Sequence, residues 1–229
     1  MKVRGYAAMT ANAPLAPWEF ERRDLGAHDV ALDIKYSGIC HSDIHQAREE
    51  WGPAIFPMVP GHEIAGVVSS VGSAVSKFKV GDLIGVGVFV DSCRVCEPCK
   101  NGTQQYCIEG MTGTYNQLER DGKTPAMGGY ANVMVINEDY AVTIPANLSL
   151  DGVAPLLCAG ITLYSPIKHW KAGPGKKVAV MGLGGLGHMG VKFAAAMGAD
   201  HFVSTKSEGF HTKYSKHFDL ILNLSLIHI

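Results

Sequence analysis

Cys93, Cys96, Cys99 and Cys107 follow one another in the pattern C-x2-C-x2-C-x7-C. Four thiolates this close can reach one tetrahedral ion only if the backbone between them folds back on itself, which rules out a continuous helix or strand there. A long excursion pinned by a structural zinc is therefore expected over residues 93–107. Scattered buried cysteines and an iron–sulfur cluster are the alternatives, and ligand number and spacing favour zinc over both. Arg94 and Lys100 are the loop's only cations, which argues against a nucleic-acid zinc module with its basic, aromatic-studded surface. A closed four-thiolate site has no open coordination position, so its role is to hold shape.

No signal-peptide apolar core follows Met1, and no run nears the roughly twenty apolar residues of a membrane span, so a cytoplasmic location and no membrane partner are expected. Six cysteines in a reducing compartment read as metal ligands or catalytic groups, not disulfides. A formal net charge of -1 removes any broad electrostatic case for nucleic acid. A chain of 229 residues is more easily two units than one, and small-molecule chemistry is left as its work.

Residues 30–36 alternate, with Val30, Leu32, Ile34 and Tyr36 on one face, as in a half-buried strand. Cys40 follows in a turn that leads into a short helix over about 42–48, where Ser42 or Asp43 could cap the free amides. Three prolines make 51–60 a loop, and 64–71, 83–90 and 130–136 read as strands, giving a small, mostly β barrel. The texture changes near Leu148. Ser149 or Asp151 can cap a helix toward Leu157, a second helix covers 161–170, and Gly173-Pro174-Gly175 ends it.

Pro60-Gly61-His62-Glu63 sets a buried imidazole beside a carboxylate, while Cys40 and Cys158 offer one thiolate each. A Cys, His, Cys set suits a catalytic zinc, which takes three protein ligands and leaves the fourth position for water or substrate. Residues 177–181 form a short apolar strand, followed by Gly182-Leu183-Gly184-Gly185-Leu186-Gly187 and a helix through Ala196. This G-x-G-x-x-G lies in the strand-to-helix context where backbone amides cradle a pyrophosphate. The acidic residue that would read a ribose about twenty positions later is missing. Residues 202–206, Phe-Val-Ser-Thr-Lys, could instead offer a hydroxyl and cation pocket for the extra phosphate of NADP.

These motifs, in this order, resemble the zinc-dependent medium-chain alcohol dehydrogenases, and within them the cinnamyl alcohol dehydrogenase-like branch with its bacterial NADPH-dependent aldehyde reductases. Gly38-Ile39-Cys40-His41-Ser42-Asp43, Leu157-Cys158-Ala159-Gly160-Ile161-Thr162 and the run from Gly182 to Gly190 carry the likeness, which extends to about Met197. It implies α/β plus β architecture: a GroES-like, mostly β catalytic domain over 1–148, then a partial Rossmann domain, a doubly wound parallel sheet, over 149–229. By the same resemblance Cys40, His62 and Cys158 hold a catalytic zinc, Glu63 can approach it, and Asp43 stands behind the ligands. Ser42 and His45 form a proton relay, and Thr162 lies near the nicotinamide. Gly182, Gly184, Gly185, Leu186 and Gly187 hold NADP(H). With Cys93, Cys96, Cys99 and Cys107 on a structural ion, two zinc ions per chain are implied. The substrate is a small alcohol or aldehyde, aromatic or medium aliphatic, and the full-length enzyme is a homodimer. For His45 the bland reading is a surface histidine, and for Thr162 a helix residue bonding its own backbone.

Against that family, Met197-Gly198-Ala199 resembles the end of the first Rossmann helix, and 199–203 the approach to the third strand. The second strand and helix are therefore expected to be missing, so that NADP rests on the branch alone. Residues 218–224 read as a further buried strand. The sequence stops before the family's remaining strands, and 225–229 match none of its wording, so a truncated and internally deleted form is expected. The rivals are a polyol dehydrogenase, which typically has a carboxylate where Cys158 stands, and a zinc-binding remnant without turnover. Trp51 and Phe56 are candidates to line an aromatic pocket, and His41 and His188 to face the cofactor. Each has an ordinary packing or solvent role as its alternative.

Overall fold

Five strands, in the order Val133–Asn137, Asp29–Ser37, Ile64–Val71, Leu83–Val86 and Val142–Thr143, build the sheet on which the first half of the chain rests. The computed structural model describes residues 1–198 and 208–224, and the chain divides into two compact units, Met1–Cys158 and Ala159–Ile229. In the first unit, β1 (Lys2–Ala7) and β2 (Ala16–Glu21) form an antiparallel hairpin. Then come β3 (Asp29–Ser37), α1 (His41–Ala47), β4 (Ile64–Val71), β5 (Leu83–Val86), β6 (Phe89–Asp91), α2 (Glu97–Lys100) and β7 (Thr112–Gly113). The unit closes with β8 (Val133–Asn137), β9 (Val142–Thr143) and α3 (Leu150–Val153).

Val30, Leu32, Ile64, Val68, Ile84, Val86, Met134 and Ile136 interlock as one core under the sheet, with Ile34 packed against them. Burial of such aliphatic side chains contributes on the order of 2 kcal/mol each. Tyr36 departs from the expected alternation and is 50% exposed. The pairing of β3 with β4 shifts register between Ile34 and Tyr36, and a bulge of this kind turns the following side chain to the other face. That twist delivers Ser37, Gly38 and then Cys40 to the end of an interior strand.

Residues 83–90, expected as one strand, are two. β5 stays in the main sheet while β6 leaves to pair with β7, which flanks the cysteine loop. The expected strand 130–136 starts only at Val133, because Tyr130 and Ala131 are engaged elsewhere, Ala131 in an isolated bridge to Gly5. The β1–β2 hairpin had no counterpart among the sequence expectations. It is tied to this region by Arg22, whose guanidinium donates to the carbonyls of Met127, Gly128 and Val133 at 2.7, 2.7 and 2.8 Å. Burial pulls the pKa of Arg22 down to about 10.

The units divide after Cys158, later than the change of texture near Leu148. Val153 and Ala154 are buried against Ala65 and Ile144 of the first unit, and the helix tightens to a 3-10 turn over Ala154–Leu157, where Pro155 stands. The second unit holds α4 (Ala159–His169), β10 (Val178–Met181), α5 (Gly185–Ala196), α6 (Phe210–Lys213) and β11 (Leu220–Asn223). β10 and β11 pair in parallel, Val178 opposite Leu220 through Met181 opposite Asn223, as half of a Rossmann-like sheet would. Leu163, Ile167, Ala172 and Leu222 form its core. The pocket expected at 202–206, the approach to a third strand at 199–203, and 225–229 lie outside the described residues. Among the described residues, no single helix is long and apolar enough to cross a membrane.

Candidate metal centre

The end of β3 and the start of α1 bring the first ligand into place. Gly38 N donates to Glu63 O at 2.8 Å, which holds the end of β3 beside the start of β4. Cys40 is then the N-cap of α1, and its amide donates to Asp43 Oδ2 at 3.0 Å. Asp43 Oδ1 accepts from Gly61 N at 2.9 Å and lies 3.1 Å from His62 Nδ1. The imidazole therefore spends Nδ1–H on the carboxylate and keeps Nε2 for a ligand. Gly61 has φ +100°, and a Cβ there would meet the Tyr130 ring at 2.7 Å and Ser37 Oγ at 2.9 Å, so the loop before His62 requires glycine.

Cys158, the last residue of the first unit, completes the set, with its Sγ 4.0 Å from that of Cys40. The ligand atoms of Cys40, His62 and Cys158 all lie within 4.8 Å of one another, and all three residues are buried. Bonds of about 2.3 Å at tetrahedral angles set two sulfurs about 3.8 Å apart, so this donor set fits zinc. The Sγ contact with Cys158 holds the Cys40 thiol far below its ordinary pKa, and the same contact pushes Cys158 up. Burial presses His62 down, but its hydrogen bonds to Asp43 and Cys40 outweigh that and raise it to about 9. Burial likewise opposes ionisation of Asp43, and the bond from His62 reverses it, leaving the carboxyl below its usual range. A divalent ion here would take the place of the protons these donors otherwise share.

Glu63 is 3% exposed, and a Cβ on Gly38 would come within 2.0 Å of its Oε2, so the carboxylate fills the space beside Gly38. It is not one of the three convergent donors. Ser42 Oγ stands 3.5 Å from Cys40 Sγ. His45 is 9% exposed, with its ring between those of His41 and Trp51 at 5.3 and 4.7 Å. Its Nδ1 meets the carboxylate of Glu50, while Nε2 is buried with no partner among the described residues. Phe56 is half-buried in the loop between α1 and β4. Three neighbours were not foreseen: Glu50, Tyr115, whose ring stacks on His62 at 5.7 Å, and Tyr130, whose hydroxyl donates to Asp43 Oδ2 at 2.9 Å.

Cys93, Cys96, Cys99 and Cys107 form the second cluster of ligating side chains among the described residues, again with all ligand atoms within 4.8 Å. Cys93 Sγ is 3.9 Å from Cys99 Sγ, the separation a tetrahedral zinc requires. Backbone amides supply the thiolates with donors: Cys93 N to Cys107 Sγ at 3.4 Å and Cys96 N to Cys93 Sγ at 3.3 Å. The Ile108 amide helps lower the Cys96 thiol to about 6. All six cysteines are free.

In the second unit the glycine turn is formed as expected between β10 and α5, with Gly182 at φ +84°. A Cβ on Gly187 would come within 1.7 Å of Gly182 O, so the turn closes only around glycine. Added Cβ atoms on Gly184 and Gly185 meet open space, where a ligand's phosphates could approach. Leu186 is half-buried and packs in the unit's core, while His188 is exposed. Thr162 is exposed on α4.

Residues 26–146 match the family described as "Alcohol dehydrogenase GroES-like domain". Over 206 residues the sequence is 61% identical to NADP-dependent alcohol dehydrogenase C 1 of Mycolicibacterium smegmatis, covering 90% of this chain and 59% of that protein. Aldehyde reductase YahK of Escherichia coli is 52% identical over 209 residues, 91% of this chain and 60% of its own length. Among solved structures, the CAD from Helicobacter pylori complexed with NADP(H) matches with a TM-score of 0.86 at 45% identity. That match covers 97% of this chain and 64% of that one. The chain thus spans about three-fifths of the length of these relatives.

Proposed function

The chain belongs to the zinc-type medium-chain alcohol dehydrogenase family, and from that premise we propose that it carries the active site of an NADP(H)-linked alcohol dehydrogenase or aldehyde reductase. The substrate is a primary alcohol or its aldehyde, aromatic or medium aliphatic. The convergence of Cys40, His62 and Cys158 carries this reading, because a three-donor set leaves room for a substrate oxygen. We assign a catalytic zinc to these three residues and a structural zinc to Cys93, Cys96, Cys99 and Cys107, two ions per chain. The glycine turn from Gly182 to Gly187 is assigned to the cofactor's pyrophosphate. A cytoplasmic location agrees with six free thiols.

When bound, zinc supplies Lewis acidity toward the substrate oxygen, and the nicotinamide supplies or accepts the hydride. The chain's own residues handle the proton that reduction consumes and oxidation releases. With Glu50 accepting from Nδ1–H, His45 presents Nε2 as a base or, once protonated, as an acid. Ser42, next to Cys40, links the reacting oxygen to His45, and half-exposed Glu50 opens the path to water. Asp43 keeps the His62 tautomer fixed, while Tyr115 covers its ring. Glu63 would supply a nearby carboxylate while ligands exchange, and Thr162, exposed on α4, would serve the nicotinamide.

The test is NADPH consumption with an aromatic aldehyde, measured together with zinc content. Turnover that Cys158→Ser abolishes upholds the proposal. The sheet of the second unit, two-stranded among the described residues, favours one other reading, a zinc-binding remnant, and two bound zinc ions without turnover would carry it instead.

A further inference from the structure

Asp43 is 4% exposed and receives four donors. Cys40 N at 3.0 Å, Gly61 N at 2.9 Å and His62 Nδ1 at 3.1 Å come from segments that carry the metal ligands themselves. The fourth, the Tyr130 hydroxyl at 2.9 Å, comes from 87 positions away. Its backbone is fastened on both sides, Tyr130 N to Pro60 O at 2.9 Å and Tyr6 N to Tyr130 O at 2.8 Å. Gly129 N donates to Gly61 O at 2.8 Å, and the Tyr130 ring fills the space left by the missing Cβ of Gly61. The hydroxyl therefore has one place to point.

A carboxylate turns easily about its last torsion, which is broad and two-fold. Oδ1 of Asp43 is held by Gly61 and His62, whereas Oδ2 is held by the Cys40 amide and the Tyr130 hydroxyl, with the Tyr115 side chain also close to the carboxylate. Without the hydroxyl, Oδ2 loses its donor from outside the ligand-bearing segments, and the plane that orients His62 loosens. We propose that Tyr130 is a positioning residue for the three-donor metal site, acting through Asp43 to fix the orientation of the His62 imidazole toward a divalent ion. This rests on the zinc assignment above, and Tyr130 touches neither ion nor substrate.

The experiment is competition for zinc against a chromogenic chelator on the whole chain. The unaltered protein is expected to release zinc in two classes, one from each cluster. Tyr130→Phe keeps the ring and removes only the donor. It should weaken one class by roughly tenfold, the usual scale for a ligand's hydrogen-bonding support, and leave the four-cysteine class unchanged. Retention of that class shows the first unit is folded, and Tyr6→Phe, at a tyrosine 56% exposed, should change neither class. Asp43→Asn should weaken the same class, and Tyr130→Phe added to it should do no further harm, since both act through one carboxylate. Affinity in Tyr130→Phe within twofold of the unaltered protein, or full additivity with Asp43→Asn, overturns the proposal and leaves the zinc assignment standing. A single zinc class in the unaltered protein, held by the four cysteines, overturns both.

Discussion

Cys40 Sγ and Cys158 Sγ stand 4.0 Å apart although 118 positions separate them in the chain. That distance suits a shared metal ion, and two neutral thiols would gain little from it. Cys158→Ser should therefore remove one of the two expected zinc ions per chain and leave the four-cysteine ion in place. Metal analysis after gel filtration checks this, and loss of both ions would mean the clusters are not independent.

The carboxylate of Glu50 on His45 Nδ1 gives a kinetic expectation. His45→Ala should slow aldehyde reduction by about 100-fold and Glu50→Gln by about tenfold, with zinc content unchanged. Reduction consumes a proton, so acid should narrow both deficits as solvent takes over delivery. Rates of NADPH oxidation across pH decide it. A deficit that widens in acid would remove His45 from the proton path.

Arg22 spends its guanidinium on three backbone carbonyls. Arg22→Met removes every donor at once and strands those carbonyls, at a cost of about 3 kcal/mol. The first unit should melt about 10 °C lower, as followed by circular dichroism. Because the carbonyls of Met127 and Gly128 lie just before Tyr130, zinc affinity at the three-donor site should fall with it.

Glu138 accepts from the amides of Lys77 and Ser76 at 2.9 and 2.8 Å, and these bonds, with His28, lower its pKa from 4.5 to about 2. A carboxylate with a lowered folded pKa stabilises the fold fully above its unfolded value and loses that contribution as acid protonates it. Stability should thus decline between pH 4.5 and about 2. Glu138→Gln should lower stability at neutral pH and flatten that acid limb in denaturant titrations. An unchanged limb would show that other carboxylates govern it.

The two kinds of glycine in the turn after β10 should separate cleanly. Gly187→Ala drives a methyl into Gly182 O and should destabilise the second unit itself. Gly184→Ala meets open space, so its effect should fall on NADPH binding alone. Fluorescence titration with NADPH beside a thermal melt tells the two apart.

The cysteine loop, the Cys, His, Cys set and the glycine turn were legible because each depends on residue type at short spacing or on a strand-to-helix context. Tyr115, Tyr130 and Glu50 were not. A tyrosine or an exposed glutamate carries no local pattern; Tyr130 reaches the site because β8 lies beside β3 in the sheet and draws the preceding segment along, and Tyr115 because β7 pairs with β6 and Thr114 bonds to Val88. Residues 83–90 show the same limit. Their alternation fits one strand or two, and only the pairing of β6 with β7 decides where the break falls. The β1–β2 hairpin was missed because its strands contribute few buried side chains, with Val3, Ala7 and Phe20 carrying its core.

Cys158 is the final residue of the first unit. On a ribosome the four-cysteine loop is complete once residue 107 has emerged, whereas the second cluster lacks a donor for another fifty or so positions. If both clusters take zinc, the loop's can be filled while the other still awaits Cys158. Filling of the later site would mark the moment when the first unit has been synthesised to its end.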